Sequence, residues 1–139
     1  MNYKSSDLAV IIPSVNYKNI NKCIDSILKQ TKKPGQTIVI FNKKKNFKRR
    51  KNIQFSYTNL ANQVHQRNHG LNLIKKNIKL ILQLDDKFYL HNKAIENLVK
   101  EWNESEKNVA GIGIKSNFQY ENIDKYKLLK LITLTGNNQ

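Results

Sequence analysis

The chain has 139 residues, enough for one ordinary hydrophobic core and short for two, so a single domain spanning 1–139 is expected. It carries 25 Lys and Arg against 10 Asp and Glu, a net charge of +15, and a basic surface of that kind raises the question of a phosphate-bearing partner. The cations are 22 Lys and 3 Arg, however, and base readers favour the planar Arg fork, so no specific nucleic acid is expected and a basic nucleic-acid-binding domain is the second alternative only.

In chain order, the first apolar run is "LAVIIP". It is a short β-branched stretch closed by Pro13, as expected of a strand buried on both faces. It is shorter than a signal-peptide core or a membrane span, which predicts a soluble, cytoplasmic protein, with a basic surface able to rest peripherally on the inner face of the membrane. From Asn19 to Gln30, the positions Ile20, Cys23, Ile24, Ile27 and Leu28 trace one face of a helix. Cys23 is the single cysteine, which excludes a disulfide framework and a cysteine-based zinc site.

"KKPGQ" reads as a turn and "TIVIF" as a second buried strand. "NKKKNFKRRKN" holds seven cations in eleven residues without an apolar period, which predicts a solvated loop before a short strand, "IQFSY". Helical spacing returns in Leu60, Val64, Leu71, Ile74 and Ile78. "KLILQLDD" is the most apolar strand of the second half, "HNKAIENLVKEWNES" a further amphipathic helix, and "NVAGIGIK" a last strand.

This alternation predicts an α/β fold, a mostly parallel sheet flanked by helices, with ligands gathering outside the carboxyl ends of the strands. Asp85 and Asp86 stand at such an end. There they can accept ribose hydroxyls or coordinate a hard cation, or else cap the following helix. Arg67, in "QRNHGL", can reach a diphosphate or pair with an acid. His65 and His69 share a helical face, but with no third ligand they read as ordinary polar residues. The chain has no GxxxxGK[ST] phosphate loop, the "GIG" at 111–113 lacks a third spaced glycine, and there is no GxSxG elbow.

Three stretches, "AVIIPSVNYKNINKCIDSILKQTKKPGQTIVI", "NQVHQRNHGLNLI" and "LILQLDDKF", occur in the order and spacing that characterise one family. Together they resemble the amino-terminal half of glycosyltransferase family 2, with its GT-A fold. That family opens on a VIIPTYN-like strand, follows it with a helix ending in Q-T/S, then carries an A-R-N-x-G helix and an L-D-D-D-type acid cluster. The resemblance implies binding of a nucleoside-diphosphate sugar, a UDP-sugar favoured, for transfer to a saccharide or lipid acceptor in surface-polysaccharide or glycolipid synthesis. It implies that Pro13, Ser14 and Asn16 line the base pocket, that Arg67 approaches the nucleotide, and that Asp85 takes ribose or sugar hydroxyls.

Asp86 is then the middle acid and the metal ligand available for Mg²⁺ or Mn²⁺. Lys87 holds the place of the acid that normally binds that metal, which argues against the ion. Phe41 and Asn42 stand where an acid contacting the base is usual. The family's catalytic base lies beyond the acid cluster, in an acceptor-binding half, so the catalytic residue is unassigned. The expectation is a fragment, a truncated product or one part of a split enzyme completed by a second subunit. The alternative is a non-catalytic nucleotide-sugar-binding or scaffold subunit.

Overall fold

Two runs of β-branched residues, too short and too uniformly apolar for amphipathic helices, form the centre of the sheet. The computed structural model describes residues 2–15, 20–44 and 47–114. Strand β1 is Leu8–Ser14 and β2 is Gln36–Phe41, and every residue of both is buried. Helix α1, Ile20–Leu28, links them. It is followed by β3 (Gln54–Tyr57), α2 (Gln63–Asn72), β4 (Leu80–Gln83) and α3 (Ala94–Glu104). The sheet runs β3-β2-β1-β4 and all three pairings are parallel. Ile11 lies beside Ile38 of β2 on one side and Gln83 of β4 on the other, which fixes the register across the centre.

Alternation along the strands divides the core between two faces. Val10, Ile12, Val39 and Phe41 face α1 and α3, meeting Ile20, Cys23, Ile24, Ile27, Ile95 and Val99. Ile11, Ile38 and Ile40 face the other side and meet Leu73 and Ile74. The expected α/β architecture, a parallel sheet flanked by helices, is the one observed.

Four expectations change. Helix α2 does not pack through the expected apolar period: Val64 and Leu71, and Leu60 before it, are exposed, and Ile74, which does meet the core, lies past its end, while Gln66 and Gly70 are buried. Its axis comes so close to the sheet that a Cβ on Gly70 would lie 2.7 Å from Ile11 Cγ2 and 2.9 Å from Ile40 Cδ1, and only a small face fits. Residues 108–114 of "NVAGIGIK" are not a strand. They pair with nothing in the described sheet, and a Cβ at Gly111 or Gly113 would meet nothing within 4 Å.

The cationic loop, in turn, is tied down rather than merely solvated: Phe47 stacks on Phe41 with centroids 4.5 Å apart, and Arg50 bonds Asp25 at 2.8 Å. Finally, Asp85 and Asp86 cap no helix. Phe88 N–H closes a turn on Asp85 O at 3.1 Å, and α3 begins only at Ala94.

The Gln30–Thr31 pair earns its place structurally. Buried Gln30 donates to Ser26 O and His91 O and accepts from Ile95 N–H, while Thr31 N–H bonds Asn92 O. The end of α1 is thereby fastened to the segment that follows the acid pair. Asn16 and the closing "LTGNNQ" lie outside the described residues.

Candidate functional site

Chain order reverses at β1: the sheet grows from β1 to β2 and β3 on one side, then α2 carries the chain back to β4 on the other. In open parallel sheets such a reversal leaves a crevice outside the carboxyl ends of the flanking strands. Ser14 ends β1. Beside it the pairing of β4 continues one step, with Leu84 N–H on Ile11 O at 3.0 Å, and then releases Asp85 and Asp86 into a turn. Helix α2 reaches the same edge, capped by Asn62, whose Oδ1 accepts from Val64 and His65 N–H.

The acid pair is divided between two partners. Ser14 Oγ donates to Asp86 Oδ2 at 2.6 Å, and both residues are buried, Asp86 to 6 % exposure. Arg67 Nη2 donates to Asp85 Oδ1 at 2.6 Å, with the two side chains 26 % and 39 % exposed. Lys87 is exposed in the turn, and Pro13 is buried in β1. The structure thus brings Ser14, Arg67, Asp85 and Asp86 together, with Lys87 alongside.

As arranged, the acids are not a ready-made cage for Mg²⁺ or Mn²⁺. Each gives one oxygen to a protein partner, Lys87 adds a positive charge, and no group of three His, Cys, Asp or Glu among the described residues could hold a metal ion. Beneath the pair, Cys23 Sγ lies 3.9 Å from Asp85 O. Burial, and then the Asp86 and Asp85 carboxylates, push its pKa up to about 12, so it is a packed thiol and not a nucleophile. His69 Nε2 shares a hydrogen bond with Ser56 Oγ at 2.8 Å and His65 is exposed, as two ordinary polar residues would be.

Gln66 was not foreseen. Its fully buried amide donates to Ser14 O at 3.1 Å and Ile40 O at 3.2 Å, joining the ends of β1 and β2 under the crevice. The reversed amide would set oxygen against two carbonyls, so the orientation is fixed. Its Oε1, like the Nε of Arg67, is buried without a partner. The available signal was a glutamine one helical turn before Gly70, where the motif of the resembling family has alanine.

A separate depression of about 580 Å³ opens at the amino ends of β1 and β2, between Tyr3, Lys4, Lys32, Lys33, Lys100 and Asn103. Its cations are partly spent: Lys33 donates to Leu28 O and Gln30 O, and Lys100 lies 3.8 Å from Glu104. Charge and hydrogen-bonding chemistry favour the carboxyl edge over this hollow.

The fold belongs to the class of parallel α/β sheets flanked by helices whose strand order reverses within the sheet. No known protein-family profile matches the chain, and no curated protein sequence does. Among solved structures it is similar to Staphylococcus aureus TarS 1-349, with a TM-score of 0.59 and 20 % identity over 78 % of this chain and 38 % of that one. The same fragment in complex with UDP gives 0.56 and 18 %, over 78 % and 38 %. A further TarS structure gives 0.54 and 18 %, over 82 % of this chain and 24 % of that one. The chain therefore spans well under half the length of these proteins. What they share with it is the fold.

Proposed function

We propose that the chain binds a nucleoside-diphosphate sugar, a UDP-sugar favoured, at the carboxyl edge of β1 and β4, as the nucleotide-binding part of a glycosyltransferase. The observation that carries this reading is the convergence of Ser14, Arg67 and Asp85 at the reversal of strand order. The similarity in fold to TarS, a glycosyltransferase solved with UDP, supports it. In this reading Arg67 meets the diphosphate and Asp85 accepts ribose or sugar hydroxyls. Lys87 supplies a fixed positive charge where the resembling family uses a metal-binding acid. A unit charge about 4 Å from a phosphate oxygen is worth on the order of 4 kcal/mol at an effective dielectric near 20, before desolvation is subtracted. The acceptor is a saccharide or lipid hydroxyl, in surface-polysaccharide or glycolipid synthesis, and the basic surface holds the protein at an anionic membrane face.

Calorimetric titration tests this reading. UDP binds the parent, single-stranded DNA does not compete at physiological salt, and Arg67→Ala weakens UDP by about tenfold, the scale of one charge-assisted hydrogen bond. EDTA and Mn²⁺ leave the parental affinity unchanged, and Lys87→Asp makes it metal-dependent. Collapse of parental binding in EDTA would return the cation role to a metal on Asp86. Competition by DNA for the same sites would favour the nucleic-acid alternative. Binding of the donor without hydrolysis or transfer, even with a second subunit added, would favour the non-catalytic one.

A further inference from the structure

While Arg67 and Asp85 hold each other, each commits to its neighbour part of the charge and one of the polar atoms that its assigned role requires. Arg67 gives Asp85 a single hydrogen bond, Nη2 to Oδ1 at 2.6 Å, and its buried Nε has no partner. A guanidinium is best satisfied by an anion that takes two of its donors side by side, which phosphate oxygens do as readily as a well-placed carboxylate. The other acid of the pair is engaged on Ser14 and nearly inaccessible, so it does not replace Asp85. Both members of the ion pair remain partly open to solvent, at 26 % and 39 %.

We propose that Asp85 is a stand-in anion: the diphosphate of an incoming nucleotide takes Arg67 from Asp85, and the released carboxylate then accepts the hydroxyls of the same ligand. The inference rests on the nucleotide-sugar reading above and goes on to explain how the crevice selects an intact nucleotide. Pyrophosphate alone strands the Asp85 carboxylate, and a nucleoside alone has to compete with Arg67 for it. Only a ligand with both phosphates and hydroxyls compensates both charges at once.

The experiment measures calorimetric affinities of the 139-residue chain for inorganic pyrophosphate, uridine and UDP in the parent, Asp85→Ala and Asp25→Ala. Asp25, on α1, pairs with Arg50 of the β2–β3 loop, so its removal changes net charge equally without touching Arg67. Circular dichroism confirms that both variants are folded. Asp85→Ala is expected to tighten pyrophosphate by about twofold to fivefold, the range of a half-exposed ion pair, and to weaken uridine, while Asp25→Ala leaves uridine unchanged and tightens pyrophosphate less, by its general charge effect alone. Unchanged pyrophosphate affinity in Asp85→Ala, or equal tightening in both variants, overturns the exchange and leaves the pair as a brace between α2 and the turn. A parent that binds neither UDP nor uridine overturns the nucleotide reading itself, and the exchange with it.

Discussion

Cys23 is the residue whose chemistry the fold changes most. Its thiol is raised from an ordinary 9.0 to about 12, by burial first and by Asp86 and Asp85 second. A thiol that stays protonated in the folded state and ionises in the unfolded one stabilises the protein fully below pH 9. That contribution is lost as pH rises from 9 towards 12, because the unfolded chain then binds fewer protons. Urea midpoints at pH 8 and pH 10 should therefore show the parent losing about 1.4 kcal/mol more than Cys23→Ala over that interval. Equal losses would mean that the thiol ionises freely in the fold. The native thiol should also resist a disulfide reagent at pH 8 and react once urea unfolds the chain.

At the scale of elements, α2 depends on what it lacks. Because a Cβ at Gly70 would lie 2.7 Å from Ile11 Cγ2, Gly70→Ala should cost about 1–3 kcal/mol through overpacking, despite the better helix propensity of alanine. Gly111→Ala meets nothing within 4 Å and should stay within about 0.5 kcal/mol. Thermal or urea denaturation of the two variants checks the contrast, and similar stabilities would mean that α2 can ride away from the sheet.

The same helix marks the limit of what the sequence made legible. Strands β1 and β2 could be read because runs of Ile and Val have one stable use, between two covered faces. Helix α1 could be read because its apolar period is the face it buries. Helix α2 has an apolar period on its exposed side and buries a glutamine and a glycine. Periodicity counts transfer free energy, whereas α2 is seated by close approach and by amide bonds to strand ends. The acid pair was legible as a site candidate from its place after an apolar run. Its division between Ser14 and Arg67 was not, since it depends on contacts with β1 and α2 that no local pattern records.

For the whole molecule, the net charge of +15 acts as a field. The loop between β2 and β3, fastened by Phe47 and Arg50, holds exposed Lys48, Arg49 and Lys51. Such a field draws in anions regardless of their detailed fit and is screened within about 8 Å at physiological ionic strength. On the proposed nucleotide-sugar reading, UDP affinity should therefore fall several-fold between about 0.05 and 0.3 M salt, while uridine affinity stays flat. A salt-independent UDP affinity would confine the electrostatics to Arg67 and Lys87.

The placement of β4 beside β1 has a kinetic meaning as well. Ser14 and Asp86 are 72 residues apart in the chain, against 18 for Arg67 and Asp85. Loop-closure entropy makes the β1–β4 pairing among the most expensive contacts to nucleate, whereas β1, α1 and β2 can collapse through nearer neighbours. A refolding chain acquires much of its hydrophobic centre before β4 docks beside β1, so recovery of the proposed nucleotide binding is a sharper reporter of complete folding than recovery of helical signal.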